Sequence, residues 1–146
     1  MSRTIALGGF MGVGKTTMGR LLALDLGCPF IDLDESIERH TGKRVSQIFD
    51  EDGEVAFRTL EKQALDAVLD GSLKVVALGG GTLHQPDCLV QLQARAQVVV
   101  LWLPHKELLE RLGDQDDARP LWAESHRLFV ERERGYLSAG HVLNLE

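Results

Sequence analysis

The sequence predicts an α/β fold in which helices cover both faces of a central five-stranded parallel sheet. Five short runs rich in Val, Ile and Leu occur along the chain, and each has the length of a strand buried on both faces. Segments with helical periodicity separate these runs, and strands that alternate with helices favour parallel pairing. A glycine-rich loop follows the first run, at the edge of the sheet where such folds bind ligands.

The predicted elements follow from the order of these patterns. Strands are predicted at 4–7, 29–33, 74–78, 97–103 and 141–145, all as buried strands. Helices are predicted at 15–26 and 54–70 from apolar spacing, and at 87–95 and 105–112 after prolines that can open a helix. In the first helix one apolar stripe is formed by Met18, Leu21, Leu22 and Leu26.

The composition fits one domain of 146 residues with a real core, since 44% of the residues are hydrophobic. No apolar run approaches the ~20 residues that a membrane span requires. We expect no signal segment, because the first apolar residues run straight into the glycine loop. The net charge of −6 comes from dispersed acidic residues, which argues against nucleic-acid or anionic-membrane partners. Cys28 and Cys88 lack metal-ligand spacing. We therefore expect two reduced thiols in a cytoplasmic protein.

The loop at 9–16 has the spacing G-x-x-x-x-G-K-T between a predicted strand and a predicted helix. Backbone N–H groups of such a loop point at phosphate oxygens, and the helix that follows adds its dipole. Lys15 is placed to bridge the β- and γ-phosphates, and Thr16 offers a hydroxyl to Mg²⁺. The sequence therefore predicts a nucleoside triphosphate site that comprises Gly12, Val13, Gly14, Lys15, Thr16 and Thr17.

Two carboxylates, Asp32 and Asp34, end the second predicted strand. Residues two apart on an extended chain face the same side. Two like charges held together are costly unless a cation or a proton donor separates their roles. We expect one carboxylate to serve Mg²⁺ through water and the other to take the proton of an acceptor hydroxyl. The alternative is that one of them only caps the following helix.

Arg58 and Glu61 lie three apart on the predicted helix at 54–70, a spacing at which the carboxylate can hold the guanidinium. Taken alone, such a pair is usually a solvated surface pair. Phe57 fits the core, whereas Phe49 has no clear place.

Three successive glycines, Gly79, Gly80 and Gly81, follow the third predicted strand. They expose backbone N–H groups and let a ligand approach the main chain closely, with a flexible loop as the alternative. His84 has no partner at metal-ligand spacing, so we expect it on the surface.

The polar stretch around Arg119 has the composition of a mobile flap. An arginine delivered by a flap is suited to neutralise a transferring phosphoryl group, and an ordinary surface loop is the alternative. Arg132 and Arg134 follow on an amphipathic helix, a setting in which most arginines are solvated.

Five motifs in this order make the chain similar to the shikimate kinase family, within the nucleoside-monophosphate-kinase branch of P-loop proteins. They are the loop at 9–16, DLD at 32–34, GEVAFR at 53–58, GGG at 79–81 and RPL at 119–121. The resemblance implies a three-layer α/β/α P-loop NTPase fold in one domain over 1–146. It places an acceptor-binding insert at about 33–61 and a short lid at about 113–125. The implied reaction transfers the γ-phosphate of ATP to the 3-hydroxyl of shikimate, in aromatic amino-acid biosynthesis.

On the nucleotide side, the resemblance implies that Lys15 holds the phosphates and that Thr16 and Asp32 serve Mg²⁺. Arg119 matches the lid arginine that meets the ATP phosphates, so it joins Lys15 and Asp34 as a catalytic residue. Arg111 matches a residue that stacks near adenine.

On the acceptor side, the resemblance implies that Asp34 binds the ring hydroxyls and acts as the base. Arg58 would grip the shikimate carboxylate, and the backbone of the glycines at 79–81 would line the pocket. Phe49 and Phe57 match positions around the acceptor.

Three departures from the family leave alternatives open. The family usually has Pro-Leu-Tyr after its second substrate-binding arginine, whereas 132–136 reads Arg-Glu-Arg-Gly-Tyr. Arg132 is therefore the expected second carboxylate contact, with Arg134 as a competitor. The span from Arg119 to Arg132 looks short, and the sequence ends at Glu146, where family members continue into an adenine-contacting loop and a terminal helix.

Two other functions therefore stand beside a shikimate kinase. One is a kinase for another sugar acid, such as gluconate, and the other is a nucleotide-binding protein without catalysis. We expect a monomer.

Overall fold

The computed structural model describes residues 3–9, 14–104, 106–107 and 122–145. Within these residues five strands form one sheet, in the order β2-β3-β1-β4-β5 and with all pairs parallel. They are β1 (Ile5–Gly8), β2 (Phe30–Asp32), β3 (Val75–Ala77), β4 (Gln97–Trp102) and β5 (His141–Asn144). The predicted α/β fold with a five-stranded parallel sheet is confirmed.

Helices connect these strands. They are α1 (Lys15–Leu26), α2 (Leu33–Thr41), α3 (Val45–Asp52), α4 (Glu54–Val68), α5 (Pro86–Arg95) and α6 (Trp122–Ala139), with a 3-10 turn at Thr82–His84. Pro86 stands at the first position of α5, where its missing N–H costs nothing. The helix predicted at 105–112 lies outside the described residues except for 106–107. None of the described helices is long and apolar enough to cross a membrane.

The strand register brings the loops of the site to one edge of the sheet. Asp32 of β2 lies beside Ala77 of β3, and Ala77 lies beside Leu7 of β1. Because the three strands are parallel, their carboxyl ends share this edge. The glycine loop, the DLD motif and the glycine triplet at 79–81 therefore leave the sheet next to one another.

Three apolar clusters hold the elements together. The largest joins the sheet to α4, α5 and α6. A second packs α1 on β1 and β3 through Ala23, Leu7 and Val75. The third consists of Ile37, Ile48 and Phe57, one residue each from α2, α3 and α4. This last cluster packs α2, α3 and α4 against one another, and it thereby fixes the helix that carries Asp34 relative to the helix that carries Arg58.

Of the apolar stripe predicted for α1, only Leu22 packs against the core. Met18, Leu21 and Leu26 are exposed, and the helix instead buries Gly19 and Ala23. A Cβ at position 19 would lie 2.4 Å from a ring carbon of Phe30. The helix packs too closely on β2 for large side chains, so small residues form the contact face.

The expectation of a buried strand at 141–145 is also wrong. All four residues of β5 are exposed in this structure. The strand lies at the edge of the sheet and pairs with β4 alone. Val and Leu indicated a strand here, but they could not indicate burial, because residues that favour strands occur in edge strands as well as in central ones.

Candidate active site

The junction of β1 and α1 forms the first part of the site. Gly14 precedes α1 with a φ of 101°, a left-handed conformation that favours glycine. The Lys15 Nζ donates a hydrogen bond to the Gly9 carbonyl oxygen at 2.7 Å, so the ammonium folds back toward the end of β1. The positive end of the α1 dipole opens into the same space. Gly12 and Val13 lie outside the described residues, and Thr17 is exposed in the first turn of α1.

The surroundings of Lys15 change the pKa of its ammonium group. Burial lowers the pKa of Lys15 to about 8, although the carboxylates of Asp34 and Asp32 raise it. Desolvation therefore outweighs the two negative charges. A bound anion such as a phosphate would favour the charged ammonium further.

Asp32 is the carboxylate that caps a helix. Its Oδ1 accepts a hydrogen bond from the Glu35 backbone N–H at 3.1 Å, and its Oδ2 accepts one from the Thr16 hydroxyl at 3.0 Å. The helix-cap alternative therefore applies to Asp32 and not to Asp34. Thr16 and Asp32 also stand side by side as oxygen donors, which is the ligand chemistry that Mg²⁺ prefers. The donor set present thus fits that ion.

Asp34 faces the same space as Asp32, but not for the predicted reason. Strand β2 ends at Asp32, so Asp34 is placed by the first turn of α2 and not by strand periodicity. Its Oδ1 is buried without a hydrogen-bond partner among the described residues. Burial, followed by the charge of Asp32, raises the pKa of Asp34 to about 6. A buried oxygen of this kind is available to a ligand hydroxyl.

Arg58 is held by a carboxylate and by two aromatic rings. Its Nη1 donates to both oxygens of Glu61, at 2.9 Å and 3.2 Å. The guanidinium carbon lies 5.3 Å from the ring centroid of Phe57 and 5.9 Å from that of Phe49. The side chain of Glu61 is 1% exposed, so the interpretation of this pair as a solvated surface pair is wrong. Helical spacing gave the partners correctly but carried no information on burial.

The carboxylate of Glu61 also binds the turn after the glycine triplet. Its Oε2 accepts a hydrogen bond from the Thr82 hydroxyl at 2.9 Å, and Thr82 is itself fully buried. This contact links α4 to the main chain at 79–81. Sequence reasoning missed Thr82, because residues 21 positions apart carry no spacing signal.

Charged side chains converge over the glycine triplet. A Cβ on Gly81 would lie 2.7 Å from Nη2 of Arg58 and 3.1 Å from Nη2 of Arg132. A Cβ on Gly79 would lie 2.8 Å from Oδ1 of Asp34. The missing side chains therefore make room for these groups, which come from α2, α4 and α6.

Of the two competing arginines on α6, Arg132 reaches the triplet and Arg134 is exposed. Tyr136, four residues after Arg132, is fully buried and donates its hydroxyl to the Gly80 carbonyl oxygen. The geometry thus brings Arg132 into the charged cluster. Tyr136 is a second residue that sequence reasoning passed over.

His84 is not a surface residue. It is half-buried, and its Nε2 lies 2.9 Å from the backbone oxygen of Arg132. The expectation was wrong because the lack of metal-ligand spacing excludes a metal site but says nothing about burial. Arg111 and Arg119 lie outside the described residues. Of the lid predicted at about 113–125, residues 113–121 also lie outside them, and the remainder belongs to the start of α6.

Comparison with known proteins identifies the family of this chain. The profile of the shikimate kinase family matches residues 11–143. The chain belongs to the shikimate kinase family. It is 49% identical over 117 residues to the shikimate kinase of Chlorobium chlorochromatii, a match that covers 80% of this chain and 61% of that relative. It is 43% identical over 135 residues to the shikimate kinase of Thermus thermophilus, covering 92% of this chain and 72% of the relative.

A solved member of the shikimate kinase family shares the fold. The structure of the shikimate kinase from Acinetobacter baumannii in complex with shikimate matches with a TM-score of 0.88 and 37% identity. The match covers 100% of this chain and 84% of that one. The family identified from five motifs in the sequence is thereby confirmed.

Proposed function

We propose that this chain is a shikimate kinase, which transfers the γ-phosphoryl group of ATP to the 3-hydroxyl of shikimate. The observation that carries the proposal is the convergence of Arg58, Arg132 and Asp34 over the glycine triplet, beside the loop of Lys15. Shikimate is a small carboxylate with several hydroxyls. Guanidinium groups match a carboxylate in shape and charge, and a buried carboxylate oxygen suits a hydroxyl.

The residues of the site are assigned to the steps of this reaction. Asp34 takes the proton of the acceptor hydroxyl while the hydroxyl oxygen attacks the γ-phosphorus. The bond from that phosphorus to the β–γ bridging oxygen breaks, and ADP leaves. Lys15 offsets the negative charge on the phosphates. Arg119 in the lid and Arg111 near adenine belong to the same proposal, although both lie outside the described residues.

The proposal includes Mg²⁺ at Thr16 and Asp32, the latter through water. The 3.0 Å hydrogen bond from the Thr16 hydroxyl to Asp32 Oδ2 supports this proposal, because it keeps the two oxygens side by side. When bound, the ion shields the charge of the phosphates. In the same proposal the helices at about 33–61 supply the acceptor side, and the segment at about 113–125 acts as a lid over the nucleotide.

The test is an ADP-release assay with ATP, Mg²⁺ and a panel of acceptors. Shikimate should stimulate ADP release, and gluconate should not. Lys15→Met should abolish release, whereas Lys62→Met, at an exposed surface pair with Asp87, should not change it. A preference for gluconate would favour a kinase for another sugar acid, and ATP binding without turnover would favour a nucleotide-binding protein without catalysis.

We further propose that the enzyme is a cytoplasmic monomer that serves aromatic amino-acid biosynthesis and has no nucleic-acid or membrane partner. The dispersed acidic charge, which totals −6, supports the last part of this assignment because such surfaces repel polyanions. Sedimentation equilibrium tests the monomer, since a dimer would double the measured mass.

A further inference from the structure

His84 stands between the glycine triplet and the helix that carries Arg132. It is the last residue of the 3-10 turn that follows Gly81. Its Nε2 lies 2.9 Å from the carbonyl oxygen of Arg132. Because a carbonyl oxygen only accepts hydrogen bonds, Nε2 must carry the proton. The imidazole also meets the ring of Tyr136 edge-on, with centroids 4.7 Å apart.

Gly135 leaves the space that the imidazole fills. A Cβ at position 135 would lie 2.6 Å from Nε2 and 2.9 Å from Cδ2 of His84. Glycine inside a helix is less favourable than alanine, and position 135 lies within α6. The contact with His84 supplies a reason for glycine at this position.

The guanidinium of Arg132 requires support of this kind. It borders the same point beside Gly81 as the guanidinium of Arg58, so two like charges face each other. Arg58 is neutralised by Glu61, whereas no carboxylate of the described residues forms a salt bridge with Arg132. Arg132 lies within α6, so a contact on its carbonyl oxygen holds this turn of the helix against the segment that follows the glycine triplet.

The imidazole supplies this support without adding a third positive charge. Its Nδ1 is buried and has no hydrogen-bond partner among the described residues. Burial, together with the charges of Arg132 and Arg58, lowers the pKa of His84, although its hydrogen bond to the Arg132 carbonyl opposes the shift. The neutral form therefore predominates at neutral pH, and it donates through Nε2.

We propose that His84 is a positioning residue for acceptor binding. By holding the backbone carbonyl of Arg132, it keeps the guanidinium beside Gly81 and Arg58, where the acceptor carboxylate binds. This inference rests on the proposed function, because it assigns Arg132 to the acceptor. His84 acts through Arg132, so its removal should weaken acceptor binding and leave the nucleotide side unchanged.

The first test compares three variants in the ADP-release assay. His84→Ala should raise the KM for shikimate by about tenfold, the loss expected for one buried hydrogen bond, with kcat and the KM for ATP unchanged. His84→Gln keeps an N–H at nearly the same reach and should restore most of the affinity. His141→Ala is the matched control, since His141 is exposed at the start of β5, away from the carboxyl edge of the sheet.

The second test uses the contact with Gly135. Gly135→Ala should displace the imidazole and raise the shikimate KM, although alanine favours the helix. In a double-mutant cycle, His84→Ala with Gly135→Ala should show the same KM as His84→Ala alone, because the displaced ring is already absent. If Gly135→Ala acted only by disturbing the structure, the double variant would instead have a higher shikimate KM than His84→Ala alone.

Failure of this inference can be distinguished from failure of the proposed function. If the wild-type chain shows no shikimate-dependent turnover, the proposed function fails. If it turns over shikimate and His84→Ala has the wild-type shikimate KM, the role of His84 is overturned. Should His84→Ala not fold, Gly135→Ala decides the matter, since an unchanged shikimate KM in that variant would equally overturn the role.

Discussion

Arg58 donates to both carboxylate oxygens of Glu61 through a single nitrogen, Nη1, at 2.9 Å and 3.2 Å. Its Nη2 lies closer to Gly81, 2.7 Å from the place of a Cβ there, compared with 3.2 Å for Nη1. One side of the guanidinium is thus engaged in holding the side chain, and the other side is left for a ligand. Because the side chain of Glu61 is almost completely buried, this fixed orientation belongs to the folded core and not to a mobile surface.

Removal of Arg58 should act on the acceptor and not on ATP. We expect Arg58→Ala to raise the shikimate KM by roughly 10- to 100-fold, which corresponds to the loss of a charge-assisted hydrogen bond. The KM for ATP should not change. Arg39→Ala, at an exposed pair with Glu35, is the control and should leave both constants unchanged. An unchanged shikimate KM in Arg58→Ala would refute the carboxylate role.

The carboxylate that orients Arg58 should be needed for both stability and acceptor affinity. In Glu61→Gln the guanidinium loses its buried neutralising charge while the shape is kept, and only the exposed Glu54 remains, 3.6 Å from its Nε. We expect a loss of about 1–3 kcal/mol in the free energy of unfolding, together with a higher shikimate KM. Chemical denaturation and steady-state kinetics measure the two effects. Glu35→Gln should lose no more than about 1 kcal/mol, as exposed pairs do. If the two variants had the same free energy of unfolding and the same shikimate KM, the role of Glu61 in orienting Arg58 would be contradicted.

The sequence was sufficient to predict five parallel strands and the motifs that follow them, although β2 ends at Asp32 and α2 places Asp34. Parallel strands place their carboxyl ends at one edge, so the glycine loop, Asp32 and the triplet at 79–81 were expected at the same edge. That they are neighbours there depends on the order β2-β3-β1, which the sequence did not predict. Arg132 was chosen over Arg134 by family resemblance, and the geometry also brings Arg132 to the triplet. The strands and the motifs depend on local patterns, which a sequence carries.

The sequence could not predict burial or long-range contacts. The spacing of Arg58 and Glu61 is the same for a surface pair and for a buried one. The imidazole of His84 binds a residue 48 positions away, for which no periodicity exists. The face that α1 buries was predicted wrongly because close packing on Phe30 selects Gly19 and Ala23 over larger apolar side chains. All three depend on the packing of one element against another.

The triplet at 79–81 should tolerate side chains unequally. In Gly81→Ala the new Cβ would meet guanidinium nitrogens at 2.7 Å and 3.1 Å, whereas in Gly80→Ala the nearest such atom, Nη1 of Arg132, is at an ordinary 3.5 Å. We therefore expect Gly81→Ala to raise the shikimate KM several-fold more than Gly80→Ala, because both arginines must shift. Steady-state kinetics on the two variants measure this. An equal rise in shikimate KM would contradict the inference that Gly81 makes room for the two guanidinium groups.

Asp34→Asn should almost abolish turnover while ATP binding persists, because the amide keeps the shape of the side chain but cannot take a proton. Single-turnover kinetics and calorimetric titration with ATP measure the two properties. Substantial remaining turnover in this variant would remove Asp34 as the base.

The same variant should change how stability depends on pH in buffer without Mg²⁺ and nucleotide. The pKa of Asp34 in the folded chain, about 6, lies above its ordinary value of 3.8, so the folded state holds the proton more tightly. The stability from this protonation is present below pH ~4 and is lost as the pH rises through about 6. Relative to Asp34→Asn, the wild type should therefore lose about 3 kcal/mol over this window, as urea denaturation measures. Parallel pH profiles would contradict the burial of this carboxylate.

The most direct measurement is a crystal structure of this chain with shikimate bound. We predict that the shikimate carboxylate contacts Nη2 of Arg58 and the guanidinium of Arg132 beside Gly81, and that a ring hydroxyl donates to Oδ1 of Asp34. Shikimate bound elsewhere, or Arg58 and Asp34 turned away from the cleft above Lys15, would contradict the account.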